Sequence, residues 1–150
     1  MSGPDNISKK CCYALKALFE LALRDNPAPV KIRRIASAQK IPKRFLEIIL
    51  SELKHGNFVL SKRGNEGGYM LAKPANNITV GDVISFVEGR SKQKIITDLT
   101  TQQARGEYVF SRLWEKASQA IANIYNNVTL ADLVEQERMM RKDFVLNYAI

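Results

Sequence analysis

Cysteine is almost missing from this 150-residue chain: there are two, Cys11 and Cys12, side by side. Two neighbours cannot build a disulfide framework, and a bridge between them would be strained, so reduced thiols are expected. Histidine is scarcer still, with His55 alone at the end of a helical pattern. That leaves no metal-ligand spacing and no nucleophile with partners, which removes the usual players of acid-base chemistry and makes an enzyme the poorer reading. No apolar run approaches the roughly 20 residues that span a bilayer. The opening MSGPDNISKK also lacks the hydrophobic core of a secretory signal. A cytoplasmic protein without membrane contact is the expectation. What is present, 45% hydrophobic residues, is enough for one compact core with a projecting element.

Charge is unevenly placed. Residues 1–73 hold 14 Lys and Arg against 6 Asp and Glu, whereas residues 74–150 hold 9 against 9, so the whole net +8 lies in the first half. A basic lobe on a neutral body points to a head that binds a polyanion and a body with another task.

Helical spacing organises the basic half. From Ser8 to Leu23, Cys11, Ala14, Leu15, Leu18 and Ala22 recur on one face, widened by Phe19, Leu21 and Leu23. Asn26-Pro27-Ala28-Pro29 breaks that pattern. A short helix over Lys31–Gln39 follows, with Ile32, Ile35 and Ala36 inward, and then a third runs from Pro42, as its first helical residue, to His55. In this third helix Leu46, Ile49, Leu50 and Leu53 share one side. Arg44, Glu47, Ile48, Ser51 and His55 share the other, with Lys43 nearby. Gly56 is the expected stop. Two tightly joined helices, the second opening on exposed Lys43 and Arg44, match a helix-turn-helix whose second helix enters a major groove.

Immediately afterwards comes SKRGNEGGYML, Ser61–Leu71. Phe58–Lys62 reads as a strand, Gly64–Gly68 as a flexible loop and Tyr69–Ala72 as the returning strand. A phosphate-binding P-loop is excluded because GNEGGY lacks the closing Gly-Lys-Ser/Thr and leads into a strand. Helix-turn-helix followed by a hairpin spells a winged helix, with Arg63 placed to enter a minor groove while glycine N–H groups approach phosphate. Glu66 is out of character there, since a carboxylate beside phosphate is unfavourable.

Together, YALKALFELAL, FLEIILSELKHGNFVLSKRGNEGGYMLAKP and ITVGDVISFVEG resemble the Rrf2 family of bacterial transcription regulators, strongly over residues 8–90 and more weakly through LW…A…I…VTLADL. The resemblance implies a homodimeric winged helix-turn-helix protein, a repressor, on a palindromic DNA operator. It nominates Arg44 and Glu47 for base readout beside Ser51, Arg63 for the minor groove, and Lys9, Lys10, Lys43, Lys62 and Tyr69 near the DNA backbone. Cluster-binding members carry three cysteines after the VEG helix, and RSKQKIITDLTTQQARG has none. No iron-sulfur cluster or other cofactor is expected. Cys11 and Cys12 are left as candidate redox thiols beside Lys9 and Lys10, against plain core packing for Cys11. The controlling signal, a regulatory protein or a small molecule, is left open.

The neutral half supplies an arm. Thr79 with Asp82, and Thr129 with Asp132, each have the spacing of a helix cap. Between them a helix over about Glu107–Tyr125 lines up Leu113, Ala117, Ala120, Ile121 and Ile124, flanked by Phe110, Trp114 and Tyr125. Such a face either covers its own domain or pairs with a second copy, and pairing is favoured. The expected fold is therefore mainly α with a small β-hairpin wing. It comprises a DNA-binding domain over 1–90, a linker or sensor loop over 91–106 and a dimerisation region over 107–150, with Leu113, Trp114, Ala117, Ala120, Ile121 and Ile124 in the interface. The rival reading is a winged-helix co-regulator that binds protein, its basic face incidental.

Overall fold

The computed structural model describes residues 7–24, 27–89 and 104–148. Most of the expected 91–106 loop lies outside them. Among the described residues the chain forms α1 (Lys9–Ala22), α2 (Ile32–Gln39), α3 (Lys43–His55), β1 (Val59–Lys62), β2 (Gly68–Leu71), a 3-10 turn (Ala75–Asn77), α4 (Val80–Glu88), α5 (Glu107–Asn126) and α6 (Leu130–Tyr148). No helix of these is long and apolar enough to cross a membrane.

The core gathers under the first three helices. Ala14, Ala17, Leu18 and Leu21 of α1 meet Ile35 of α2 and Leu46, Ile49, Leu50 and Leu53 of α3, with Phe58, Val59, Ile78, Val83 and Leu130 closing the cluster. All four α3 residues assigned inward by helical spacing are buried. Ser8 caps α1, its hydroxyl accepting from the Cys11 N–H at 3.1 Å. The same Ser8 donates from its hydroxyl to Glu88 Oε1 at 2.6 Å and from its backbone N–H at 3.1 Å, which ties the start of α1 to the end of α4.

One local detail differs from expectation. Pro42 precedes α3 as its cap, so that its own missing N–H lies just outside the helix. Gly56 closes α3 with φ −80°, and the left-handed residue is Asn57 at φ 59°. Glycine at 56 makes room for Phe86: a Cβ there would meet the tip of its ring at 2.6 Å and push the ring aside.

The wing is a two-stranded antiparallel hairpin in which Val59 pairs Leu71 and Lys62 pairs Gly68. Its base is pinned to the residue before α2, because Val30 and Tyr69 exchange both backbone hydrogen bonds at 2.8 Å. Gly68, at φ +151°, passes so close to the Val30 carbonyl that a side chain has no place.

Both Thr-x-x-Asp caps form. Asp82 N–H donates to Thr79 Oγ1 and Thr79 N–H to Asp82 Oδ2, each at 3.0 Å. Thr129 and Asp132 repeat this at 2.8 and 3.1 Å. The two caps also lie side by side, since Val80 N–H donates to the Val128 carbonyl and Leu130 N–H to that of Ile78, at 2.8 and 2.9 Å. This bridge locks the start of α6 onto the head, and Leu130 and Val134 are buried there. Beyond that point α6 runs on for more than three turns.

Candidate nucleic-acid interface

Burial on one side of α3 dictates what the other side shows. Lys43, Arg44, Glu47, Ile48, Ser51 and His55 are all exposed, as helical spacing requires once Leu46, Ile49, Leu50 and Leu53 are fixed inside. Lys43 Nζ stands 3.6 Å from Glu47 Oε1 on the next turn, an exposed pair that stabilises little and leaves both groups free to change partners. Lys10 has a more structural post: its Nζ meets Glu52 Oε2 at 2.9 Å and joins α1 to α3. Lys9 lies over the Tyr13 ring at 5.7 Å.

At the wing, Lys62 ends β1 and Arg63 enters the turn, both exposed. Gly67 N–H donates to the Gly64 carbonyl at 3.0 Å, which closes that turn tightly. Tyr69 is only half exposed, because its ring packs against the core while its backbone pairs with Val30. Glu66 loses its oddity here. With Asn65 and Gly67 it lines a cleft of about 600 Å3 whose lining also includes Arg24, Lys31 and Arg34, so cations of its own chain share the cleft with it.

The same cleft exposes what spacing arguments passed over. Lys31, Arg33, Arg34 and Lys40 are exposed on or beside α2 and, with Lys43 and Arg44, make six cations without one carboxylate between Pro27 and Leu46. An acid-free run of that kind was a signal available in the sequence.

Cys11 is fully buried against Ile7, Val80 and Ile84, while Cys12 is half-buried beside that cluster. Core packing thus accounts for Cys11, with α4 as its neighbour in place of the Leu18 side. On α5 no residue is buried. Leu113, Trp114 and Ile124 are 51%, 59% and 63% exposed, Ala117 and Ala120 are exposed, and Ile121 is half-buried. Phe110 stacks on Trp114 with ring centroids 6.2 Å apart.

Comparison with known proteins bears on the family and the fold. The model of the Rrf2 family, described as iron-dependent transcriptional regulators, matches residues 7–136. The chain belongs to the Rrf2 family. It is 32% identical over 140 residues to the HTH-type transcriptional regulator IscR of Klebsiella pneumoniae, covering 89% of this chain and 82% of that protein. Among solved structures, IscR of T. potens superposes with a TM-score of 0.73 at 31% identity, covering 87% of both chains. CymR, the global cysteine regulator of B. subtilis, superposes with a TM-score of 0.72 at 29% identity, over 87% of this chain and 96% of that one. An Rrf2 regulator of the IscR and CymR type, built as a mainly helical winged-helix fold with a two-stranded hairpin, is therefore established. These relatives are named as transcriptional regulators, and no enzymatic family is indicated.

The family description raises the question of iron. A cysteine-ligated cluster needs three or four thiolates converging on one point. This chain has two, consecutive on α1, one of them sealed in the core. Residues 90–103 contain neither cysteine nor histidine. Among the described residues no three His, Cys, Asp or Glu side chains gather to hold a metal ion. The donor set does not fit such a cluster.

Proposed function

We propose that this Rrf2 regulator is a homodimer that binds a palindromic DNA operator in the bacterial cytoplasm and represses transcription there. The observation that carries the reading is the run of six exposed cations without a carboxylate between Pro27 and Leu46, on a helix-turn-helix that is followed at once by a wing bearing Lys62 and Arg63. Cations in that setting neutralise phosphates and release counterions, while Arg44 and Glu47 on the α3 face offer a guanine-seeking donor fork and a cytosine-seeking acceptor. Arg63, on a tight turn rich in glycine, suits a narrow minor groove.

The unburied apolar face of α5 supports pairing with a second copy. Two heads then reach half-sites about 34 Å apart or a multiple of that. A dimer across a promoter excludes polymerase, hence repression. The assignment of 1–90 as the DNA-binding domain, 91–106 as linker and 107–150 as the dimerisation region belongs to the same proposal, and Cys12 is the thiol open to a redox signal.

Selection of bound fragments from genomic DNA by the purified chain tests this. A recurring palindrome, bound about tenfold or more weakly by Arg63→Ala, is the expected result. Equal affinity for every fragment, with Arg63→Ala unchanged, would leave a protein-binding co-regulator as the better account.

A further inference from the structure

Near the middle of the exposed face of α3 stands a side chain that charge does not explain. At 100° per residue Arg44, Ile48, Ser51 and His55 form the strip opposite the buried Leu46, Ile49, Leu50 and Leu53. Ile48 is central in that strip and 56% exposed, with Phe45 at 54% on its flank. Helix formation does not call for isoleucine there, since straight-chain residues form helices better than β-branched ones. Packing does not call for it either, because Ile48 is outside both buried clusters. A protein partner would favour a contiguous apolar patch. Here Arg44, Ser51 and His55, all exposed along the same strip, break the surface up. A polyanion presenting an isolated apolar group suits this mixture better. In the major groove of duplex DNA that group is the thymine C5-methyl, lying among base-edge acceptors and phosphates.

We infer that Ile48 is a specificity-determining residue that packs on the C5-methyl of one thymine in each operator half-site. The inference rests on the DNA-binding reading above and deepens it. Arg44 and Ile48 are four residues apart, a rise of about 6 Å along the helix. At about 3.4 Å per base pair, the thymine falls within roughly two base pairs of the guanine taken by Arg44.

The test replaces each thymine of the selected operator in turn, in both half-sites, by deoxyuridine, which lacks only the methyl group. Binding is measured for the full chain and for Ile48→Ala, and thermal unfolding of the variant checks that its fold is intact. Removal of one buried methyl group per half-site weakens the wild-type complex about 4-fold, or about 15-fold for the symmetric pair. The expected result is such a loss at one symmetric thymine pair for the wild-type chain and less than 2-fold loss at the same pair for Ile48→Ala. Indifference of the wild-type chain to every replacement, or equal sensitivity in Ile48→Ala, overturns the role of Ile48 and leaves sequence-specific DNA binding standing. Failure to prefer any genomic fragment removes the DNA-binding reading itself, and this inference with it.

Discussion

The head and the arm solve opposite problems with their surfaces. Residues 27–71 put Leu, Ile and Val into a shared core and leave lysine and arginine outside. No residue of α5 is fully buried in its own chain, although Ile121 and Tyr125 are partly covered. Along it Tyr108, Val109, Phe110, Leu113, Trp114 and Ile124 of α5, and Met139, Met140, Phe144, Val145, Leu146 and Tyr148 of α6, are each more than half exposed. Solvated cations are comfortable in water indefinitely. Apolar surface costs about 25 cal/mol per Å2 to keep wet, so the arm calls for a partner at all times and the head only when DNA is present. The contrast supports the proposal of a standing dimer that binds and releases its operator.

The largest effect should come from the arm. Leu113→Asp combined with Ile124→Asp is expected to convert the dimer to monomer in sedimentation and to weaken operator binding about 100-fold or more, because binding at the second half-site is no longer tethered to the first. Helix content should persist, as neither residue is buried. An unchanged sedimentation coefficient would break the comparison. Next in size, Arg44→Ala should cost about 1–3 kcal/mol per half-site and relax the preference at one base pair, seen by titrating operators that vary there. Retained preference would move readout to another residue.

Smaller effects sharpen the contrast. Neutralising Lys31, Arg33 or Arg34 singly should weaken binding to all sequences alike and reduce the salt slope by about one for each phosphate left without its cation, whereas Lys116→Ala on the arm should leave that slope alone. Smallest of all, Thr129→Ala should cost about 1 kcal/mol of unfolding free energy in urea by removing the cap of α6. That cap also carries a pH signature. The Thr129 backbone N–H, and then its hydroxyl, hold the Asp132 carboxylate below its ordinary range. A depressed folded pKa gives stability that is present above the unfolded value and lost as pH falls through the folded one. Thr129→Ala removes the hydroxyl and keeps the backbone N–H that contributes most, so it should flatten acid unfolding below about pH 4 in part. An equal acid slope in the variant would deny the cap that role.

Much of this was legible in the residues because the relevant signals are local. Helical spacing separated Leu46, Ile49, Leu50 and Leu53 from Arg44, Glu47 and Ser51, and Thr-x-x-Asp marked both cap sites. What escaped depends on distance in space. Spacing cannot show that Val30 pins the wing through Tyr69, that Gly56 makes room for the Phe86 ring, or that Lys10 is occupied by Glu52. The two caps were visible separately, but their pairing across Ile78, Val80, Val128 and Leu130 was not. Nor does spacing show that Glu66 shares a cleft with Lys31 and Arg34.

The central claim, a cationic head on duplex DNA, is tested most directly by measuring operator affinity of the full chain as salt rises from about 50 to about 200 mM. With six or more phosphates neutralised by the dimer, affinity should fall about a thousandfold, along a log–log slope of about −5 or steeper. An affinity that hardly changes over that range would contradict the account.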